Sequence, residues 1–307
     1  MIGNLPYKTK QIFFVLIKLS IVTGAFYFIY QKLNKNENLQ FDVFIDFLAK
    51  NDAFSPTNIL LLLILTIFNW FFEILKWQTL VSVVQKISYL NALKQSFASL
   101  TASLITPNRV GDYAAKVAYY PKTLRKRILL LNLISNMYQM SATLTFGCIG
   151  FVLFVNKYHL DVSYFKLARL FALVLIIGTF GFLGIRHKKY KLRGFQLTKI
   201  REFIKTIPLK IHIKSALLSV LRYSLFSFQF YLLLQIFGVE VSYTNAMIVI
   251  TSMYLLSSII PSIFIFDVVI KGSVAIYLFG IVGVNELTIL SIITIMWLLN
   301  FVLPSII

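Results

Sequence analysis

Backbone interrupted by proline and glycine has no place facing lipid, because the N–H and C=O groups it frees find no partner in hydrocarbon. This chain places two such interruptions inside long apolar neighbourhoods. The first, residues 103–116, reads Ser-Leu-Ile-Thr-Pro-Asn-Arg-Val-Gly-Asp-Tyr-Ala-Ala-Lys. The second, residues 260–272, reads Ile-Pro-Ser-Ile-Phe-Ile-Phe-Asp-Val-Val-Ile-Lys-Gly. In both, a proline is followed by an aspartate, Asp112 or Asp267, and then by a lysine four positions on, Lys116 or Lys271. That spacing sets acid and base on one helical face. Charges at membrane depth are costly and mark substrate or ion paths, so the rest of the chain is read as a frame for these two segments.

The frame is helical. With 58% hydrophobic and 13% charged residues and a mean hydropathy of +0.80, several runs reach the roughly 20 apolar residues that a spanning helix needs. Spans are expected near 11–32, 58–84, 128–155, 166–185, 213–237 and 288–307, with interrupted segments near 92–120 and 245–283. The apolar run from Gln11 to Tyr30 is too long for a signal peptide and is read as a retained first helix. Phe41, Phe44, Ile45 and Leu48, with Asp42 and Asp46 on the other side, suggest a short helix lying on the outer membrane surface.

The formal charge of +19 would suit nucleic acid, but its distribution argues for a membrane. Basic residues gather at Lys8 and Lys10, at Lys86 and Lys94, from Lys116 to Arg127, and from Arg186 to Lys214. Acidic residues gather in the alternate loops, as Glu37, Asp52, Asp161, Glu240 and Glu286. The positive-inside rule then puts the N-terminus of the multi-pass chain in the cytoplasm. Both ends of 92–120 fall on the cytoplasmic side, so this segment is expected to enter and return, with its tip at Pro107. By parity 245–283 does the same from outside, with its tip near Pro261. The basic stretch 186–214 is read as a solvated loop beside anionic headgroups.

The fold class that follows is all-α: a polytopic membrane protein of about six full transmembrane helices plus two re-entrant hairpins in an inverted repeat. It forms a single domain, 1–307, with halves at approximately 11–155 and 166–307. Helix starts at 11 and 58 and a tip at 107 in one half match 166, 213 and 261 in the other to within a residue. Inverted repeats with broken segments in matching places point to a transport site near the bilayer midplane.

Several side chains are candidates for binding there. Asn69, Glu73 and Lys76 share one face of the second span, where Glu73 and Lys76 are also spaced to pair with each other. Asn132, Asn136, Gln139 and Thr143 form a polar stripe on the 128–155 span, as helix–helix glue or as a cavity wall facing the hairpin. Arg109, beside Asn108 at the first tip, and Arg222, deep in the 213–237 span, carry the forked geometry suited to phosphate. Neither arginine has a local acid, so each needs an anionic ligand or Glu73. Lys116 and Lys271 add point charges that Asp112 and Asp267 could neutralise. Helices restarting after the two prolines would aim positive dipole ends at the same place.

Cofactor and metal chemistry find no support. The single Cys148 is read as packing, and His159, His187 and His212 lack metal-ligand spacing. No phosphate-binding P-loop and no nucleophile elbow occur, so no catalytic residue is assigned.

Asn69-Trp70, Glu73, Lys76-Trp77, the stretch from Thr106 through Pro107, Asn108, Arg109, Val110, Gly111 and Asp112 to Tyr113, and Pro261 with Asp267 resemble one family. It is the lysylphosphatidylglycerol synthase transmembrane region, a flippase-like membrane domain, and the resemblance covers almost the whole chain. It implies movement of a phosphate-bearing lipid between leaflets. The aminoacylating domain of bifunctional members is absent from this sequence, so lysyl transfer is not assigned. The second hairpin carries Ile263-Phe264-Ile265-Phe266 where the family has glycines. The expected ligand is therefore a membrane lipid with an anionic headgroup, not nucleic acid. Assembly with itself or with a synthase or glycosyltransferase is a further expectation. The alternatives are an intramembrane lipid-modifying enzyme, with Glu73 or Asp112 as general base, and a non-transporting partner of such an enzyme.

Overall fold

The computed structural model describes residues 54–104, 106, 110–160, 191–192, 195–259 and 264–306. Their helices are α1 (Pro56–Val81), α2 (Tyr89–Leu104), α3 (Val110–Ala118), α4 (Arg125–Lys157), α5 (Leu197–Thr206), α6 (Leu209–Ile236), α7 (Tyr243–Ile259), α8 (Phe264–Ile281) and α9 (Glu286–Trp297). A π turn over Leu298–Val302 continues α9 into a last short helix, α10 (Leu303–Ile306). Among the described residues, four stretches are long and apolar enough to cross a membrane: α1, α4, α6 and the run Glu286–Ile306. They correspond to the spans expected at 58, 128, 213 and 288. The spans expected at 11–32 and 166–185, and the surface helix at 41–48, lie outside the described residues.

The distribution of polarity identifies the solvent. On α1, Ser55 caps the N-terminus by accepting a hydrogen bond from the Asn58 amide, and Pro56 fits the first turn, where no N–H is needed. Further along, Asn69, Glu73 and Lys76 turn inward, Lys76 to 1% exposure, while Ile67 is 65% and Phe68 49% exposed. A helix that hides its charges and displays its large apolar side chains is built for hydrocarbon outside and a polar interior. The protein is a multi-pass, membrane-embedded helical bundle.

The first interrupted segment forms a helical hairpin. At 16 and 9 residues, α2 and α3 extend only about 24 and 13 Å, short of the roughly 30 Å hydrocarbon core. They run antiparallel: Ser99 meets Asp112 through a hydrogen bond, and Gln95 accepts one from Tyr120 at 2.9 Å. Gly111 makes this pairing possible. A Cβ there would lie 2.2 Å from the Ala102 carbonyl oxygen and 2.6 Å from Thr106 Oγ1. Thr106 in turn fastens the bend, accepting from the Gly111 amide at 2.8 Å and donating to the Ala102 carbonyl at 2.9 Å. An otherwise orphaned N–H at the start of α3 is thereby satisfied. Pro107, Asn108 and Arg109 lie outside the described residues.

In the second half α7 packs against α8, with residues 260–263 between them outside the described set. Two packings join segments distant in the sequence. α4, which follows the first hairpin, packs along α7, while the end of the chain packs on α2, where Thr101 donates to the Ser305 carbonyl at 3.2 Å. α1 and α6 cross at the centre as the most extensively packed pair. Gly150 lets α4 and α7 approach, since a Cβ at that position would meet Thr251 Oγ1 at 1.8 Å.

One expectation is corrected. The described residues of 186–214 do not form a simple solvated loop. Lys191–Leu192 pairs antiparallel with Phe195–Gln196, and α5 follows directly. Phe203, Ile204 and Ile207 repeat at helical spacing and dock on a core that includes Trp77, Leu80 and Ile128, leaving Arg201, Glu202 and Lys205 exposed. An apolar stripe can be buried against the bundle, so the segment folds onto it.

Candidate functional site

Helices α1, α3, α4 and α6 meet around a group of five charged side chains. Glu73 and Lys76, one turn apart on α1, form an ion pair at 2.7 Å. Arg222 of α6 donates to the same Glu73 oxygen, Oε2, at 2.8 Å. One carboxylate oxygen thus faces two cations. Arg222 Nη1 also lies 3.5 Å from Gln139 Oε1 of α4, its guanidinium lies 5.7 Å from the centre of the Trp70 ring, and its Nε has no hydrogen-bond partner among the described residues.

On the hairpin, Asp112 and Lys116 pair at 3.2 Å across one turn of α3. Asp112 is held from three sides. Ser99 of α2 donates to Oδ1, and Asn132 and Asn136 of α4 donate to Oδ2 at 2.9 and 3.1 Å. Its place in the first turn of α3 also faces it to the positive end of that helix. Lys116 donates to Asn132 Oδ1 at 2.7 Å and lies 4.4 Å above the Trp77 ring. Trp77 is fixed in turn, its Nε1 donating to Gln95 at 2.8 Å. Tyr113 receives a hydrogen bond from Asn136 at 3.2 Å.

Buried ions persist only where partners compensate for lost hydration. Here three cations, Lys76, Lys116 and Arg222, face two carboxylates, leaving one positive charge in excess among the described members. Arg222 is the most accessible of the five, its side chain 21% exposed against 1% for Lys76 and 4% for Lys116. The arrangement suits an anionic group arriving beside Arg222.

Of the residues singled out in the sequence, the structure brings together Glu73, Lys76, Asp112, Tyr113, Lys116, Asn132, Asn136, Gln139 and Arg222. Asn69 shares their helix face but is engaged elsewhere. Its Nδ2 donates to Asn300 Oδ1 at 2.8 Å, within a neutral network in which Asn300 donates to Gln229 at 2.8 Å and Gln229 to Thr66 at 2.9 Å. The π turn presents Asn300, whose carbonyl also receives Trp70 Nε1 at 3.0 Å. Lys271 lies in a separate aromatic chamber, 5.5 Å from the Phe301 ring. Asn108, Arg109 and the side chain of Asp267 lie outside what the structure describes. No group of three or more His, Cys, Asp or Glu side chains that could hold a metal occurs among the described residues.

Sequence reasoning missed Ser99, Gln95, Gln229 and Asn300 as members of these networks. Ser96, Ser99 and Ser103 do mark a small polar face on α2, and Asn300 is a lone amide in an apolar run. Both are usable signals.

A family model described as the lysylphosphatidylglycerol synthase TM region matches residues 15–307. The chain belongs to this family. No curated relative and no solved structure matches it.

Proposed function

We propose that the protein moves an anionic phospholipid or lipid-linked precursor between the leaflets of a bacterial inner membrane. The observation that carries this reading is the shared Glu73 oxygen. Lys76 and Arg222 both depend on it, at 2.7 and 2.8 Å, so the cations are undercompensated and Arg222 has donor capacity to spare. A phosphate supplies both the missing charge and the acceptor oxygens. Arg109 immediately precedes α3 in the chain, and the N-terminus of that helix adds a positive dipole end. Asp112, clamped by Ser99, Asn132 and Asn136, positions Lys116.

The inverted repeat completes the proposal, with hairpins entering from opposite faces and the N-terminus in the cytoplasm. Labelling checks that topology. In a Cys148→Ser background, cysteines placed at Lys122 and Asn285, both exposed, should react with an impermeant maleimide from opposite sides. Reaction from one side alone would refute the orientation.

Transport itself is tested in proteoliposomes by headgroup accessibility, followed by mass spectrometry of the lipid. Transfer of the headgroup to the other leaflet at unchanged mass is expected. A changed mass would replace the proposal with the enzyme reading, and neither change would leave a binding partner.

A further inference from the structure

Trp70 lies one turn before Glu73 on α1 and is buried. Three contacts give its ring a defined place. Its Nε1 donates to the Asn300 carbonyl at 3.0 Å. The ring meets Phe97 of the hairpin helix α2 edge to face, the centroids 5.2 Å apart at 78°. The guanidinium carbon of Arg222, on α6, lies 5.7 Å from the ring centre.

The anchor on Asn300 has a cause in the sequence. A carbonyl within an α-helix normally receives the N–H four residues on. For Asn300 that residue is Pro304, which has no N–H to give. Its carbonyl is thus open to a side-chain donor. The Asn300 side chain fixes the π turn beside α1 and α6, accepting from Asn69 of the one and donating to Gln229 of the other, both at 2.8 Å.

The choice of an aromatic ring beside Arg222 matters for charge. An aromatic face attracts a guanidinium within about 6 Å of the ring centre and adds no negative charge. A second carboxylate in its place would cancel the excess positive charge of the cluster and occupy donors of the guanidinium fork. Beside Trp70, Arg222 keeps an unpaired Nε among the described residues and a side chain 21% exposed.

We propose that Trp70 is a positioning residue for Arg222. Anchored on the Asn300 carbonyl that Pro304 leaves open, its ring holds the guanidinium in place while leaving charge and donors for an anionic headgroup. A phosphate oxygen can then take over from the Glu73 carboxylate while the cation keeps its seat. The inference rests on the headgroup reading for what Arg222 binds, and adds what orients it.

The test titrates full-length protein with phosphatidylglycerol and, separately, with diacylglycerol, which keeps the chains and lacks the phosphate. Bound lipid is counted by native mass spectrometry. Trp70→Leu should weaken phosphatidylglycerol roughly tenfold, the worth of a desolvated cation–π contact, and change diacylglycerol little. Trp70→Phe, which keeps an aromatic face and loses the N–H anchor, should lose less, and provides the reading if the leucine variant does not fold. In an Arg222→Gln background the Trp70 substitutions should have little further effect, because the cation they act through is gone. Equal losses for the two lipids, or the same loss with and without Arg222, would make Trp70 a packing residue alone and overturn the proposal. A wild type that binds the two lipids equally contradicts the headgroup reading instead. Positioning is then read without lipid, by fluorine NMR of protein labelled with 5-fluorotryptophan. The Trp70 resonance, identified by its loss in Trp70→Phe, should shift in Arg222→Gln, and an unchanged resonance overturns the contact whatever the ligand.

Discussion

Glu73→Gln should destabilise the protein by about 3–5 kcal/mol, the usual cost of removing one partner from a buried ionic group. The side chain keeps its shape but loses its charge, and Lys76, 1% exposed, is left without the carboxylate 2.7 Å away. Arg222 loses the same oxygen, but at 21% exposure it recovers part of its hydration. Most of the cost therefore falls on Lys76, which yields a second expectation. Lys76→Met introduced together with Glu73→Gln should restore more than half of the lost stability, because an apolar side chain of similar length needs no counter-charge. Thermal denaturation of the purified variants reads both effects, with a fall on the order of 10 °C expected for the single substitution. An unchanged melting temperature for Glu73→Gln would mean that Lys76 has other compensation.

Gly111→Ala should break the first hairpin. The added methyl would sit 2.2 Å from the Ala102 carbonyl oxygen, which is backbone and has no rotamer to move. The arms must separate, and with them go the Thr106–Gly111 hydrogen bond and the hold of Ser99 on Asp112. Overpacking of this kind costs about 1–3 kcal/mol and occasionally more, and here it also displaces Asp112 and Lys116. Amide hydrogen exchange should rise sharply across residues 96–118 while α6 and α7 stay protected. Gly280→Ala is the control. Nothing lies within 4 Å of a Cβ at that position, and alanine is the better helix former, so stability should hold or rise slightly. Equal behaviour of the two variants would contradict the close approach of α2 and α3.

Much of this architecture was legible in the sequence because lipid narrows the choices. Long apolar runs must be helices, and interrupted ones must be shielded, so α1, α4, α6 and α9 fall close to their expected positions. The pairing of Glu73 with Lys76 and of Asp112 with Lys116 followed from helical spacing alone. Which helices met across space did not. Asn69 and Glu73 occupy one face of α1, yet a single turn of helix sends the first to Asn300 and the second to Arg222, because different helices cross α1 at those heights. Arg222 was recognised as needing an acid or an anion, and the structure supplies Glu73. The π turn that presents Asn300 was invisible, since no proline or glycine announces it in Trp297-Leu298-Leu299-Asn300-Phe301. The order in 197–206 is hard to read because positive charges surround a short apolar stripe of Phe203, Ile204 and Ile207.

The most direct measurement is the transfer rate of an anionic headgroup in proteoliposomes carrying wild type or Arg109→Ala, with a zwitterionic lipid as comparison. The wild type should move phosphatidylglycerol at least tenfold faster than phosphatidylcholine, and Arg109→Ala, still folded and inserted, should lose that transfer. Wild-type rates in Arg109→Ala, or equal rates for the two lipids, would contradict a phosphate-binding path at the first hairpin.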